Sequence, residues 1–322
     1  MENLTLAQFR NIDFKLYEKN PVLKPPKGSF VVADPSLLTP DIAHDNKWHM
    51  FYHTTFGVYH SVSDDGISFS KGIKILSRAM RPNINKIGEK YYLFFERTAP
   101  LAVNALTLVN LAKWHSEIYV TKSDDLICWS EPQKVIAHTR DYEKDERGLA
   151  ISNPFLIQFN NKFRMYYSCG QTYIKDCGFC EPTFISCAES EKADVGYISE
   201  EHPILSPDKN DPYLNLCSGC LKVYKLKDGY AGFQNGIYEE DGKSKSAIIL
   251  LSSDDGKHFK FEKMMMQPHI SYGKNWMKQF VYASHMVKYE NKLRLYFNAR
   301  DTADPLKGRE CIGFCEADIV NI

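Results

Sequence analysis

The 322-residue sequence has no excess of either charge, since 40 Lys and Arg offset 40 Asp and Glu. That removes the basic footprint of a general nucleic-acid or anionic-membrane binder. No apolar run approaches the ~20 residues that cross a bilayer. The start Met1-Glu2-Asn3-Leu4-Thr5 has neither a basic nor an apolar leader segment, so the expectation is an unexported, cytoplasmic chain with no membrane or nucleic-acid partner. No Gly-x-Gly-x-x-Gly opens a helix, and neither a P-loop nor His-Glu-x-x-His occurs, so nucleotide and zincin chemistries lack their motifs. Tryptophan is scarce at 4 residues, yet 19 Tyr and 19 Phe raise the aromatic share to 13%. Such a composition favours β-strands and suits a site that stacks flat ligands such as sugar rings.

Self-similarity organises the chain. Ser63-Asp64-Asp65-Gly66, Ser123-Asp124-Asp125-Leu126 and Ser253-Asp254-Asp255-Gly256 are each followed by an aromatic residue, Phe69, Trp129 or Phe259. A second repeat places a polar turn before an aromatic strand: Asp45 to Tyr52, Gly88 to Phe95, Asn160 to Tyr167 and Glu290 to Phe297, with a weaker copy at Lys227 to Phe233. Repeats at this spacing, about 60 residues, with strand and turn signals throughout, predict radially repeated four-stranded antiparallel sheets. The expected fold is therefore all-β, a five-bladed β-propeller forming one domain over residues 1–322. First strands are expected to begin at Asp34, Arg81, Asn153, Cys217 and Ser284, with a strand at about 14–23 closing the last blade. An inserted helix or loop is expected at about 101–114.

In such blades the start of the innermost strand and the end of the second strand share one face. That selects Asp34, Glu96 and Asp301 as candidate catalytic carboxylates, since a pair of carboxyl groups can perform acid and base work on a glycosidic bond. The same geometry selects His53, Arg81, Asn83, Arg97, Asn153, His285 and Arg300 as candidate substrate-binding residues. The Ser-Asp-Asp turns are expected to bond only local backbone.

The blade pattern, with Ala33-Asp34-Pro35-Ser36, Arg81-Pro82-Asn83-Ile84 and Ser152-Asn153-Pro154-Phe155, resembles the five-bladed glycoside hydrolases typified by family 43, with relatives in families 32, 62, 68 and 130. The resemblance implies a carbohydrate-active enzyme, a glycosidase acting on a small oligosaccharide or glycan intermediate, with Asp34 as general base or nucleophile. It places Asn83 where a tuning Asp belongs and Ser152 where the acid Glu belongs. Neither side chain can serve as the acid, so a replacement is sought in Glu96, Glu146 or Glu181. Two further readings stay open, a propeller that binds a sugar or nucleotide-sugar without hydrolysis and a metal-dependent enzyme on the same scaffold. Arg81, Arg97 and Arg300 could clamp an anionic substrate.

Nine cysteines point to a reducing compartment. Cys177, Cys180, Cys217 and Cys220 form two Cys-x-x-Cys pairs, the spacing of a thiolate zinc site. A zinc cross-link between neighbouring blades is the expectation they raise, although nothing in the sequence requires a cofactor.

Overall fold

The computed structural model describes residues 1–107, 111–304 and 307–319. It is a β-propeller. Its first unit runs Val32–Leu38, Trp48–Thr54, Gly57–Ser63 and Ile73–Leu76, each strand hydrogen-bonded to the next. Ala79–Ile87, Lys90–Thr98, Trp114–Ser123 and Gln133–Ile136 repeat that order, as do Gly148–Phe159, Lys162–Cys169, Phe184–Ser190 and Ile198–Ser199. A short parallel pairing of Trp114–Ser116 with Gly148–Ala150 joins these two units edge to edge. The next unit is Cys217–Leu226, Gly229–Glu240, Lys243–Ser253 and Lys260–Met266.

The last unit, Phe280–Tyr289, Lys292–Arg300 and Glu310–Asp318, takes its outer strand from Lys15–Leu16, which pairs with Glu316 and Cys315. The Asn20 side chain extends that pairing. Its amide donates to the Phe314 carbonyl at 2.8 Å and its oxygen accepts the Phe314 N–H at 2.9 Å, as a backbone peptide group would. The expected insertion contains a helix at Leu101–Thr107 with no buried residue, and Trp114, its expected last residue, already opens a strand. Residues 108–110 of the expected 101–114 segment lie outside the described residues.

The repeats hold neighbouring units together. In the first Ser-Asp-Asp turn, Ser63 Oγ accepts the Gly66 N–H at 3.0 Å and Asp65 Oδ1 accepts those of Ile67 and Ser68 at 2.7 Å. This leaves the turn's carbonyls pointing outward, where Arg294 Nη1 donates to Asp65 O and Tyr296 OH to Gly66 O, both at 2.8 Å. Arg164 and Tyr166 make the same two bonds to Asp255 and Gly256. The Arg-x-Tyr in the aromatic strands is thus a docking element for the Ser-Asp-Asp turn of the adjoining unit.

Each innermost strand carries a β-bulge, where the pairing register skips Asp34-Pro35, Arg81-Pro82, Asn153-Pro154, Ser218-Gly219, and Tyr282 with its successor. Asp34, Arg81, Asn153 and Gly219 all have left-handed backbone, with φ of 52°, 51°, 51° and 60°. Proline after the first three suits a position where the ladder takes no N–H. Bulges re-aim side chains and gather beside active sites. Here they turn the same register position of successive units towards one central cavity.

Candidate active site

That cavity has a volume of about 350 Å³ and is lined by Asp34, His53, Arg81, Asn153, Arg300 and Glu310, among others. The bulges deliver Asp34, Arg81 and Asn153, second strands deliver His53 and Arg300, and Glu310 opens the third strand of the last unit. A second cavity of about 680 Å³ adjoins it, and Arg81, Phe179, Cys180, Glu181 and Pro182 line both. The partition belongs to a hairpin, Thr172–Ile174 with Phe179–Glu181, inserted into the third unit.

Asp34 is buried, and its Oδ2 lies 3.2 Å from His53 Nδ1. Burial pushes its carboxyl upward, but the hydrogen bond with His53 and the positive charge of His53, Arg81 and Lys222 outweigh it, so the group sits below its ordinary value. Asp34 is an anion at neutral pH. Asn298 holds the carrier backbone, its Oδ1 accepting the Asp34 N–H at 3.2 Å.

Glu181 is displaced the other way. Enclosure by protein pushes it up first, Arg81 and Arg300 offset part of the effect, and the carboxylates Glu310 and Asp34 add to it, leaving its pKa at about 8. Glu181 therefore keeps its proton at pH 7. Two carboxyl groups on one cavity, one held ionised and one held protonated, can divide base and acid roles between them.

Glu96 is fully buried and lines the larger cavity, but its Oε2 is bound by Arg81 Nη1 at 2.5 Å. It holds Arg81 in place. Glu310 accepts from Asn298 Nδ2 and lies 3.8 Å from Arg300 Nη1. It escaped the sequence reading because that reading counted first-strand starts and second-strand ends, whereas a third strand begins on the same face.

Other expectations are corrected by the geometry. Asp301 turns away from the cavity, and its Oδ1 accepts the Arg309 N–H at 2.8 Å within its own loop. Arg97, on the opposite face of its strand from Glu96, lies 5.2 Å over the Tyr119 ring and lines neither cavity. Asn83, the first paired residue after its bulge, and His285, the second after its own, tie units together. Asn83 Oδ1 accepts the Leu156 N–H at 2.9 Å and His285 Nδ1 accepts that of Leu37 at 3.0 Å, as Ser36 Oγ does for Ile84. Burial drives the His285 imidazole down to about 3, so it is a neutral acceptor.

Nor do the cysteines make a metal centre. Among the described residues no three His, Cys, Asp or Glu side chains gather as ligands. Cys177 and Cys217 pack with Ile174, Ile237 and Phe280, while Cys180 and Cys220 line the inner cavity. Burial raises all four thiols, Cys177 and Cys220 to about 12.

No protein-family model matches the chain, and no curated protein sequence does. Solved structures do match over nearly its whole length. A glycosyl hydrolase from Bacteroides ovatus aligns at 15% identity and TM-score 0.62, covering 98% of this chain and 96% of that one. The β-1,2-mannobiose phosphorylase of Listeria innocua, in complex with β-1,2-mannobiose, aligns at 12% identity and TM-score 0.65 over 96% and 97%. The GH43 endo-arabinanase of Bacillus licheniformis aligns at 16% and 0.57 over 90% and 96%. The chain has the fold of the propeller-type glycoside hydrolases. At these identities the likeness is one of fold, and function rests on the site.

Proposed function

We propose that the chain is a carbohydrate-active enzyme, a glycosidase on a single five-bladed propeller, which cleaves a glycosidic bond of a small oligosaccharide. The observation that carries this reading is the opposed pair on one cavity, Asp34 held ionised and Glu181 held protonated up to about pH 8. Asp34 acts as base or nucleophile, oriented by His53. Glu181 protonates the leaving oxygen, the role for which the sequence motif offers only Ser152. Ser152 instead donates to the Ser168 carbonyl at 3.3 Å. Arg81, Asn153 and Arg300 line the same cavity and bind the sugar. All nine cysteines are free thiols, which supports action in the reducing cytoplasm. No described helix is long and apolar enough to cross a membrane.

The test is turnover of a panel of nitrophenyl and dinitrophenyl α- and β-glycosides by the parent chain, Asp34→Asn and Glu181→Gln. Asp34→Asn is expected to lose roughly 10²–10⁴-fold on every substrate. Glu181→Gln should lose as much on nitrophenyl substrates and far less on dinitrophenyl ones, whose leaving group needs no proton. Undiminished turnover by Asp34→Asn would overturn the assignment. Sugar binding by the parent without turnover would leave the non-hydrolytic propeller in its place.

A further inference from the structure

One buried charge lies just outside the cavities. Lys222 is on the innermost strand Cys217–Leu226 and is 6% exposed. The pairing of that strand is regular from Cys220 onward, so Cys220 and Lys222 face the same side. Cys220 lines the inner cavity, which puts Lys222 beneath it, about 7 Å further along the strand. Among the described residues its ammonium has neither an ion pair nor a hydrogen bond.

The surroundings make that position costly. Lys222 Nζ lies 5.4 Å over the Phe155 ring, which packs in turn on Tyr224 and His285 at 5.5 and 5.9 Å between centroids. Tyr224 OH and His285 Nδ1 are taken up by the N–H groups of Met286 and Leu37. A ring face attracts a cation but does not cancel its charge, and a buried cation without an anion destabilises a fold. Asp34 is the complementary case. It is a buried carboxylate in contact with His53, and among the described residues no arginine or lysine lies within ion-pair distance of it. The strand that carries it passes the same spot, since His285 binds Leu37, three residues on. The field of Lys222 reaches both the Asp34 carboxyl and the His285 ring. Glu310 already has Asn298 and Arg300, and Glu181 keeps its proton, so neither calls for a further cation.

We propose that Lys222 is a positioning residue of this site, the buried counter-charge that acts from beneath on the Asp34 carboxylate. Its use in catalysis rests on the proposed glycosidase reading, in which Asp34 must meet the sugar as an anion. In the low dielectric under the cavity the attraction acts without direct contact. His53, Arg81, Glu181, Cys220 and Glu310 also face Asp34. Lys222 approaches from the side opposite the substrate, so its charge stays in place when a sugar fills the cavity.

The experiment is a double-variant cycle by urea unfolding of the full chain at pH 7, with Lys222→Met made in the parent and in Asp34→Asn. In the parent, Lys222→Met strands the carboxylate and should raise the unfolding equilibrium constant by roughly tenfold or more. In Asp34→Asn the same change removes a cation that has lost its anion, and should leave the constant unchanged or lower it. Equal effects in the two chains, or loss of folding in both, would assign Lys222 to packing alone and overturn the proposal. Folding lost in the parent background and kept in Asp34→Asn supports it. On a nitrophenyl glycoside that the parent turns over, the acid limb of kcat/KM should move up by about one pH unit in Lys222→Met and hold its place in Lys222→Arg. A limb that does not move in Lys222→Met overturns the role in catalysis. A parent that turns over no glycoside overturns the glycosidase reading, while unequal effects in the cycle leave the pair of Asp34 and Lys222 standing.

Discussion

The proton on Glu181 can be tested without any substrate. A glutamate in the unfolded chain loses its proton near 4.5, whereas the folded chain holds that of Glu181 to about 8. Between those values the folded state binds one more proton than the unfolded state. Stability therefore falls as pH rises through the window, and the loss is complete above the upper value. The gap between 4.5 and about 8 corresponds to about 5 kcal/mol at ~1.4 kcal/mol per pH unit. Water admitted by the adjoining cavities screens part of it, so about half that figure is a sufficient signal. Glu181→Gln is uncharged at every pH and does not suffer the loss. Urea unfolding of parent and variant, followed at intervals from pH 5 to pH 8.5, should give curves that diverge steadily with rising pH, the variant becoming the more stable partner at the alkaline end. Other titrating groups are common to both chains and cancel in the difference. Parallel curves across the window would refute the claim that the fold holds a protonated Glu181, and with it the choice of general acid.

The fold was legible because its repeats are physical requirements. An Asp in each Ser-Asp-Asp turn binds its own backbone, and an Arg-x-Tyr captures the carbonyls so exposed where the last unit meets the first and where the third meets the fourth. Asp34, His53, Arg81, Asn153 and Arg300 were also legible, since strand order alone sends first-strand starts and second-strand ends to one face. The errors came from side-chain direction. Asn83 and Arg97 lie within two residues of cavity-lining positions, but a bulge and the strand's alternation send one to a neighbouring backbone and the other to Tyr119. Glu181 was only one of three replacement acids in the sequence, because it lies on a hairpin that interrupts the repeat. Its protonation depends first on burial and then on Glu310 and Asp34, which are distant in sequence and close only when folded. The four cysteines show the same limit, since a two-residue spacing can pair two thiols, but the fold sends Cys177 and Cys217 into an apolar cluster and Cys180 and Cys220 to the inner cavity.

The hairpin that carries Glu181 is latched to the fourth unit, where Asp176 accepts Ser244 Oγ at 2.6 Å and the Ser244 N–H at 2.9 Å. Asp176→Ala should lower kcat at least tenfold and move the alkaline limb of the pH–rate profile below about 8, with little change in melting temperature. An unchanged profile would show that the latch does not position the acid. The fourth bulge yields a prediction with an internal control. Gly219 has φ of +60°, and an added Cβ would lie 2.1 Å from the Asn235 carbonyl oxygen and 2.7 Å from its Nδ2, in the wall of the inner cavity. Gly88 has nearly the same φ, +58°, with nothing within 4 Å of an added Cβ. Gly88→Ala therefore measures the left-handed backbone penalty alone, on the order of 1–2 kcal/mol. Gly219→Ala must in addition displace a paired strand, for a total of at least ~3 kcal/mol and a melting temperature lower by roughly 6–12 °C. The displaced strand carries Asn235 with it, so sugar retention should weaken in Gly219→Ala and not in Gly88→Ala. Equal losses of stability in the two variants would mean that the fourth bulge has room to spare and that the inner cavity is not closed by the contact of Gly219 with Asn235.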